Sequence, residues 1–195
     1  MDSKSYQDHF FHKAKIRGYR SRSAIKLLEI DKKFKFLKEG IKLLDLGSYP
    51  GGWCQVVAGK VKKGKILGID KKKVEEIKGV KFIIGDFLDE ELRQNVLKYF
   101  NTKIDVVLSD MAANTTGNKS LDTIRTNELC LSTILFSQKV LSKKGILLSK
   151  FFMGEDFDQI KINAKKTFKK IIFIKPKSSR GESRETYIHC SELST

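Results

Sequence analysis

The chain has 195 residues, 40% of them apolar, enough for one domain with a sizeable core. Its formal net charge is +16; no apolar stretch approaches the ~18 residues of a membrane span, and the N-terminus lacks the apolar core of a secretory signal. Three cysteines, Cys54, Cys130 and Cys190, are odd in number and far apart, which argues against a disulfide framework or a zinc-ligand pair and for a reducing, intracellular compartment.

The charge is segregated. Residues 1–40 hold 11 Lys/Arg against 5 Asp/Glu, residues 161–184 hold 9 against 1, and together they carry +14 of the total. A compact fold that brought both segments to one face would present the footprint of a polyanion partner. The plainer alternative, a lysine-rich surface that is basic everywhere, fits this distribution less well.

Taken in order, residues 1–18 mix His9, Phe10, Phe11 and His12 with lysines at no helical or strand period and read as a flexible basic arm, with no metal site in its two histidines; residues 19–195 read as a single domain. Ser21 or Ser23 is placed to cap a helix described by Ala24, Ile25, Leu27, Leu28 and Ile30. Lys26 lies within it, and by residue statistics alone would be an ordinary exposed lysine. The short apolar run Ile41 to Leu46 reads as a buried parallel strand. It breaks into the turn Gly47-Ser48-Tyr49-Pro50-Gly51-Gly52, after which Trp53 to Val61 is helical. Strand, glycine turn and helix together form the ligand seat of a doubly wound sheet, where Gly51 and Gly52 would let a ligand approach the backbone. The turn lacks the Gly-x-Gly-x-x-Gly pattern of a dinucleotide fold. Pro50 also removes an amide donor that a diphosphate would use, so S-adenosylmethionine, which has no phosphate, fits better than NAD.

Lys65 to Asp70 is the next strand, and Asp70 stands where a carboxylate accepts from ribose hydroxyls. Val80 to Phe87 is a third, with Asp86 at its end and the Phe87 ring available to cover an adenine. A helix over Glu90 to Tyr99 leads to a fourth strand, Ile104 to Asp110, and a polar loop, Met111 to Gly117, on the ligand face. A long helix, Thr123 to Val140, precedes a fifth strand, Gly145 to Phe152. Lys150 lies in that apolar run and must either point out of the core or be held by acids, because a buried unpaired ammonium is very costly. A basic helix, Phe157 to Phe168, precedes strands over Ile171 to Lys175 and Glu185 to Cys190, whose short connection predicts an antiparallel edge hairpin. The fold class is therefore α/β, a seven-stranded, mostly parallel sheet with helices on both faces. The loop from Pro176 to Arg184 is basic and rich in hydroxyls, which suits phosphate contacts.

Five stretches together resemble the FtsJ/RrmJ family of S-adenosylmethionine-dependent RNA ribose 2′-O-methyltransferases: Ser-Arg-Ser-Ala-Ile-Lys-Leu from Ser21, Leu-Asp-Leu-Gly-Ser-Tyr-Pro-Gly-Gly-Trp from Leu44, Gly-Asp-Phe from Gly85, Leu-Ser-Asp-Met-Ala from Leu108, and Lys-Pro-Lys-Ser-Ser-Arg through Ser-Arg-Glu-Thr-Tyr-Ile from Lys175. The resemblance implies a Rossmann-like methyltransferase fold. It places a catalytic tetrad on Lys26, Asp110, Lys150 and Glu185, and cofactor contacts on Gly51, Trp53, Asp70, Asp86 and Asp110. With Gly47, Ser48, Pro50, Gly52 and Phe87 these complete the expected cofactor set. Two departures from the family pattern stand out: Ser48-Tyr49 before Pro50, and Ala113 in place of a proline. The implied substrate is a uridine in large-subunit ribosomal RNA, met by Arg20, Arg22, Lys175, Lys177, Arg180 and Arg184. A monomer without metal is expected, cytoplasmic or in an organellar matrix. The rival readings are a transfer RNA methyltransferase with the same tetrad, a non-catalytic ribosome-assembly factor, and a nucleotide-dependent oxidoreductase.

The chemistry supports the tetrad independently. A ribose hydroxyl is a poor nucleophile and needs a base, or a group that fixes a lone pair in line with the breaking carbon–sulfur bond. A lysine at the end of an apolar strand beside a second ammonium is driven toward the neutral form, while Asp110 and Glu185 oppose that and make the group neutral in sum.

Overall fold

The computed structural model describes residues 3–179 and 183–194. Helices α1 (Ser3–Ile16) and α2 (Ser23–Phe34) lead into strand β1 (Lys42–Leu46), helix α3 (Gly52–Lys60) and strands β2 (Lys65–Asp70) and β3 (Val80–Ile84). Helix α4 (Glu90–Phe100), strand β4 (Ile104–Ser109), helix α5 (Lys119–Val140) and strand β5 (Leu141–Phe152) follow. Helix α6 (Phe157–Thr167) and strands β6 (Phe168–Ile174) and β7 (Glu185–Leu193) complete the fold.

The strands form one sheet in the order β3-β2-β1-β4-β5-β7-β6. Strands β1 to β5 run parallel, while β7 runs antiparallel to both β5 and β6. The first residue of β7 therefore lies at the same edge as the last residues of the parallel strands, and Phe152 is the register partner of Glu185. Side chains alternate between the sheet faces, so Leu147 and Ile188 enter a core with Leu92 and Val96 of α4, Ile134 of α5 and Ile160 of α6. Leu148 and Tyr187 enter the opposite core with Leu27 and Ile30 of α2 and Trp53 and Val57 of α3. Lys150 and Tyr187 are register partners, which puts the lysine on the α2/α3 side.

The seven strands and the edge hairpin match the expectation, and several local features differ, among them β3, which stops at Ile84 rather than Phe87, and α5, which starts at Lys119 rather than Thr123. Residues 3–16 are helical rather than an arm without regular structure. From His9 to Ile16 only Ala14 is buried, so no apolar stripe marks the period. Neither Ser21 nor Ser23 caps α2; Arg22 holds the cap position without a side-chain bond, and the two hydroxyls bond each other at 2.7 Å. Strand β5 begins at Leu141, directly after α5, because Leu141 already pairs with Ile104 before a register shift. Helix α6 stops at Thr167, and Phe168 begins β6 opposite Leu193. The two basic segments are not gathered wholly on one face either: α2 packs one side of the sheet and α6 the other.

Candidate active site

The parallel topology delivers carboxylates to one edge of the sheet. The Asp70 side chain accepts from the backbone N–H of Tyr49 at 2.9 Å and of Lys72 at 2.8 Å, which ties the end of β2 to the glycine turn. Asp86 accepts from the Leu88 N–H at 3.0 Å and pairs with Lys71 at 2.7 Å. These bonds hold its carboxyl below the usual range. Asp110 follows β4, and its N–H donates to Leu46 O at 3.1 Å.

The glycine turn is built differently from the sequence expectation. A Cβ on Gly51 (φ +113°) would lie 2.8 Å from an Arg20 guanidinium nitrogen, and one on Gly52 would lie 2.1 Å from Ser21 Oγ. These two glycines therefore make room for the chain's own residues 20 and 21. Gly47 (φ +77°) leaves space for the backbone of Met111, 2.9 Å from where its Cβ would be. The buried Ser48 hydroxyl donates to Asp45 O at 2.8 Å. The Tyr49–Pro50 peptide is cis, and the Tyr49 ring is exposed. Arg20 donates to Glu75 O at 2.9 Å, Glu76 O at 3.1 Å and Pro50 O at 3.4 Å, clamping the segment after β2 against the turn. An arginine committed to three carbonyls is a structural clamp rather than the phosphate contact expected of it.

Phe87 also departs from its expected role. Its ring is buried, packs against Phe136 at 5.3 Å and lies beneath the Arg93 guanidinium, so it belongs to the core and not to an adenine cover. Trp53 is likewise buried; its indole N–H donates to Ser23 O at 2.9 Å, and its ring lies 5.8 Å from that of Tyr187.

The four tetrad candidates, distant in sequence, converge as two ion pairs. Lys26 Nζ meets Glu185 Oε1 at 2.5 Å, and Lys150 Nζ meets Asp110 Oδ1 at 3.1 Å while donating to Asp110 O at 2.5 Å. Both lysines are buried, at 5% and 7% exposure, so Lys26 is not the exposed helix lysine that statistics favoured. Burial alone would raise the Asp110 carboxyl; the Lys150 and Lys26 ammonium groups and the Tyr187 hydroxyl outweigh it and leave Asp110 below the usual range. Tyr187, not anticipated from sequence, donates to Asp110 Oδ1 at 2.8 Å. Burial and the nearby Asp110 and Glu185 push its phenol well up, so it stays a donor. Asp45, also unassigned from sequence, lies fully buried under the glycine turn. Burial drives its carboxyl up to about 7 against the lowering bond from the Cys54 thiol, which donates to Oδ2 at 3.0 Å.

A cavity of about 650 Å³ opens between the start of α5 and the residues after β5, lined by Ser120, Thr123, Ile124, Met153, Asp156 and Arg184. Arg184, Lys175 and Lys177 are exposed, Arg22 is half-buried, and Arg180 lies outside the described residues. In the loop after β4, the Ala113 N–H donates to Thr126 Oγ1 at 3.3 Å, a bond that a proline there could not make. Among the described residues no three His, Cys, Asp or Glu side chains gather as a metal site, and no helix is long and apolar enough to cross a membrane.

Comparison with known proteins agrees with this fold. The family model for FtsJ-like methyltransferases matches residues 19–193. The ribosomal RNA large subunit methyltransferase E of Pelagibacter ubique is 46% identical over 191 residues, which span 98% of this chain and 94% of the relative. Among solved structures, a Plasmodium falciparum chain described as a ribosomal RNA methyltransferase superposes with a TM-score of 0.81 at 36% identity, over 90% of this chain and 98% of that one. Human methyltransferase-like protein 13, solved in complex with SAH, shares the fold at a TM-score of 0.62 and 14% identity, over 82% of this chain and 78% of its own. With a family match across the whole sheet and near-half identity to a full-length relative, the chain belongs to the FtsJ-like methyltransferase family.

Proposed function

We propose that the protein transfers a methyl group from S-adenosylmethionine to a ribose 2′-hydroxyl of large-subunit ribosomal RNA. The observation that carries this reading is the pair of buried lysine–carboxylate bridges at one edge of the sheet. The names of the relatives supply the substrate class. The donor set suits the cofactor: the half-buried carboxylates Asp70, Asp86 and Asp110 can accept from ribose hydroxyls, an adenine amino group and an amino-acid ammonium, and would repel a diphosphate. When bound, the sulfonium supplies an electrophilic methyl group.

The residues of the chain then have distinct tasks. Asp70 and Asp86 orient the nucleoside, with backbone amides fixing both carboxylates. Asp110, fixed by Tyr187 and Lys150, stands between the cofactor edge and the lysine pair. Lys150 Nζ receives the 2′-hydroxyl, taking its proton or aligning its lone pair, and Asp110 holds the nitrogen in place. Lys26 and Glu185 fix the opposite wall. Low exposure strengthens each of these interactions relative to water.

Lys150→Ala should lower single-turnover methyl transfer by ~10²–10⁴-fold, the scale of a general base, with cofactor and RNA affinities little changed. Removing one partner of a buried pair costs about 3–5 kcal/mol, so a melting curve must show the variant folded at the assay temperature. Lys150→Arg keeps the charge but cannot lose a proton in a protein; an inactive arginine variant identifies a base, and partial rescue an electrostatic role. Near-normal turnover by folded Lys150→Ala would reject the mechanism. Preference for bulk transfer RNA over undermethylated ribosomal subunits would reject the substrate.

A further inference from the structure

Glu29 lies one helical turn beyond Lys26 on α2 and has no part in the chemistry described so far. Its carboxylate nonetheless makes the longest-range hydrogen bonds described in the fold. Oε1 accepts from the backbone N–H of Lys177 at 2.7 Å, and Oε2 accepts from the N–H of Ser178 at 3.2 Å and its hydroxyl at 3.1 Å, across 148 and 149 residues. A carboxylate that accepts two consecutive amides fixes the direction of the chain, as a side chain does at the start of a helix. The next residue uses that direction. The Ser179 N–H closes a turn onto Pro176 O at 3.0 Å, and the Ser179 hydroxyl donates to Glu185 Oε1 at 3.1 Å, the same oxygen that receives Lys26 Nζ at 2.5 Å. Ser178 and Ser179 are both buried, at 4% and 5% exposure, so neither bond is traded readily for water.

We propose that Glu29 is a positioning residue for methyl transfer, acting through Ser178 and Ser179 on the orientation of the Glu185 carboxylate and hence on Lys26. Helix α2 grips the β6–β7 connection at two points one turn apart, Glu29 at its start and Lys26 at its end. Without Glu29, Ser179 loses its fixed approach and the Glu185 carboxylate loses the hydroxyl that shares Oε1 with Lys26, leaving it to the ammonium and the nearby Tyr187 phenol. The inference rests on the proposed methyl transfer and extends it to a residue outside the tetrad. The competing explanation is that Glu29 merely fastens a surface loop.

A double-mutant cycle separates the two. Glu29→Ala and Ser179→Ala should each lower the single-turnover rate about 10- to 100-fold at saturating RNA and cofactor, the scale of a misplaced catalytic group. The double variant should be no slower than the slower single, because both act through one relay. Cofactor affinity should not change. Rates that multiply, a loss confined to KM for RNA, or a lower melting temperature at an unchanged rate would each overturn the proposal. Glu29→Gln, which keeps one acceptor oxygen and the side-chain volume, serves if the alanine variant unfolds, and should fall between wild type and alanine. A second readout needs no activity. The ¹³C shift of the Glu185 carboxylate should move in Glu29→Ala and stay fixed in the exposed control Glu155→Ala; an unmoved shift counts against the relay. Absent methyl transfer by the wild type, with that shift still moving, would instead fault the proposed function alone.

Discussion

Asp45 and His189 are both buried with perturbed titration, and their preferences oppose one another over a shared pH window. Burial raises Asp45 from 3.8 to about 7. His189, buried and stacked on Phe34 at 4.3 Å, is lowered from 6.5 to about 4 by the same cause. A raised carboxyl favours the fold below its unfolded value, and that advantage is lost as pH rises to about 7; a depressed histidine favours the fold above 6.5, and its advantage is lost as pH falls to about 4. At 1.36 kcal/mol per unit these amount to about 4 and about 3 kcal/mol, so between pH 4 and 6.5 one proton bound in excess by the folded state offsets one bound in excess by the unfolded. Chemical denaturation against pH should expose each alone. Relative to the parent, Asp45→Asn should gain stability as pH rises from 4 to 7, and His189→Phe should gain it as pH falls from 6.5 to 4. Parallel curves for parent and variants would show that neither group titrates as its burial implies. Also at this scale, Asp86→Ala should weaken S-adenosylmethionine binding by about 1–3 kcal/mol, the cost of a lost hydrogen bond to a buried donor; calorimetry giving unchanged affinity would take Asp86 out of the pocket. Terminal acids such as Asp70, Asp86 and Asp110 were legible because each closes an apolar run. Tyr187 and Asp45 were not, because a tyrosine or an aspartate in a strand shows its partner only when a distant strand end or helix is set beside it.

At the scale of elements, the apolar runs announced all seven strands, whereas boundaries failed where tertiary contact set them. Phe168 reads as a helix residue by its spacing from Ile160 and Ala164 but is drawn into β6 by pairing with Leu193. The glycine turn is the clearest case. Its pattern marked a ligand seat, yet the absence of a Cβ at Gly51 and Gly52 makes room for Arg20 and Ser21. Arg20 and the residues after β2 thereby form one wall around the turn. Arg20→Ala should lower cofactor affinity by loosening that wall and leave the salt dependence of RNA binding unchanged. A reduced salt slope at constant cofactor affinity would return Arg20 to the phosphate contacts first expected of it. Gly51→Ala should destabilise the fold by about 1–3 kcal/mol, the usual cost of a side chain at such a backbone angle.

For the whole molecule, the sheet splits the basic charge. The α6 lysines face away from the α2 side, while Lys175, Lys177 and Arg184 flank the edge that holds the tetrad. Charge reversal at Lys175 and Lys177 should therefore flatten the salt dependence of RNA binding by about 0.7 to 0.9 per lost phosphate contact, whereas reversal at Lys161 and Lys165 on α6 should change it little. Equal effects at both sites would mean a uniformly basic surface. The strand order has a further consequence, one of timing. Asp110 and its partner Tyr187 are 77 residues apart, and β7 enters the sheet between β5 and β6 only after both have been made. A ribosome synthesising this chain exposes the strand ends that carry Asp70, Asp86 and Asp110 well before Glu185 emerges, so under the proposed function a nascent chain would acquire its nucleoside carboxylates before the second lysine–carboxylate bridge. On that reading, synthesis from the N-terminus delays methyl transfer until the final strand has slotted home.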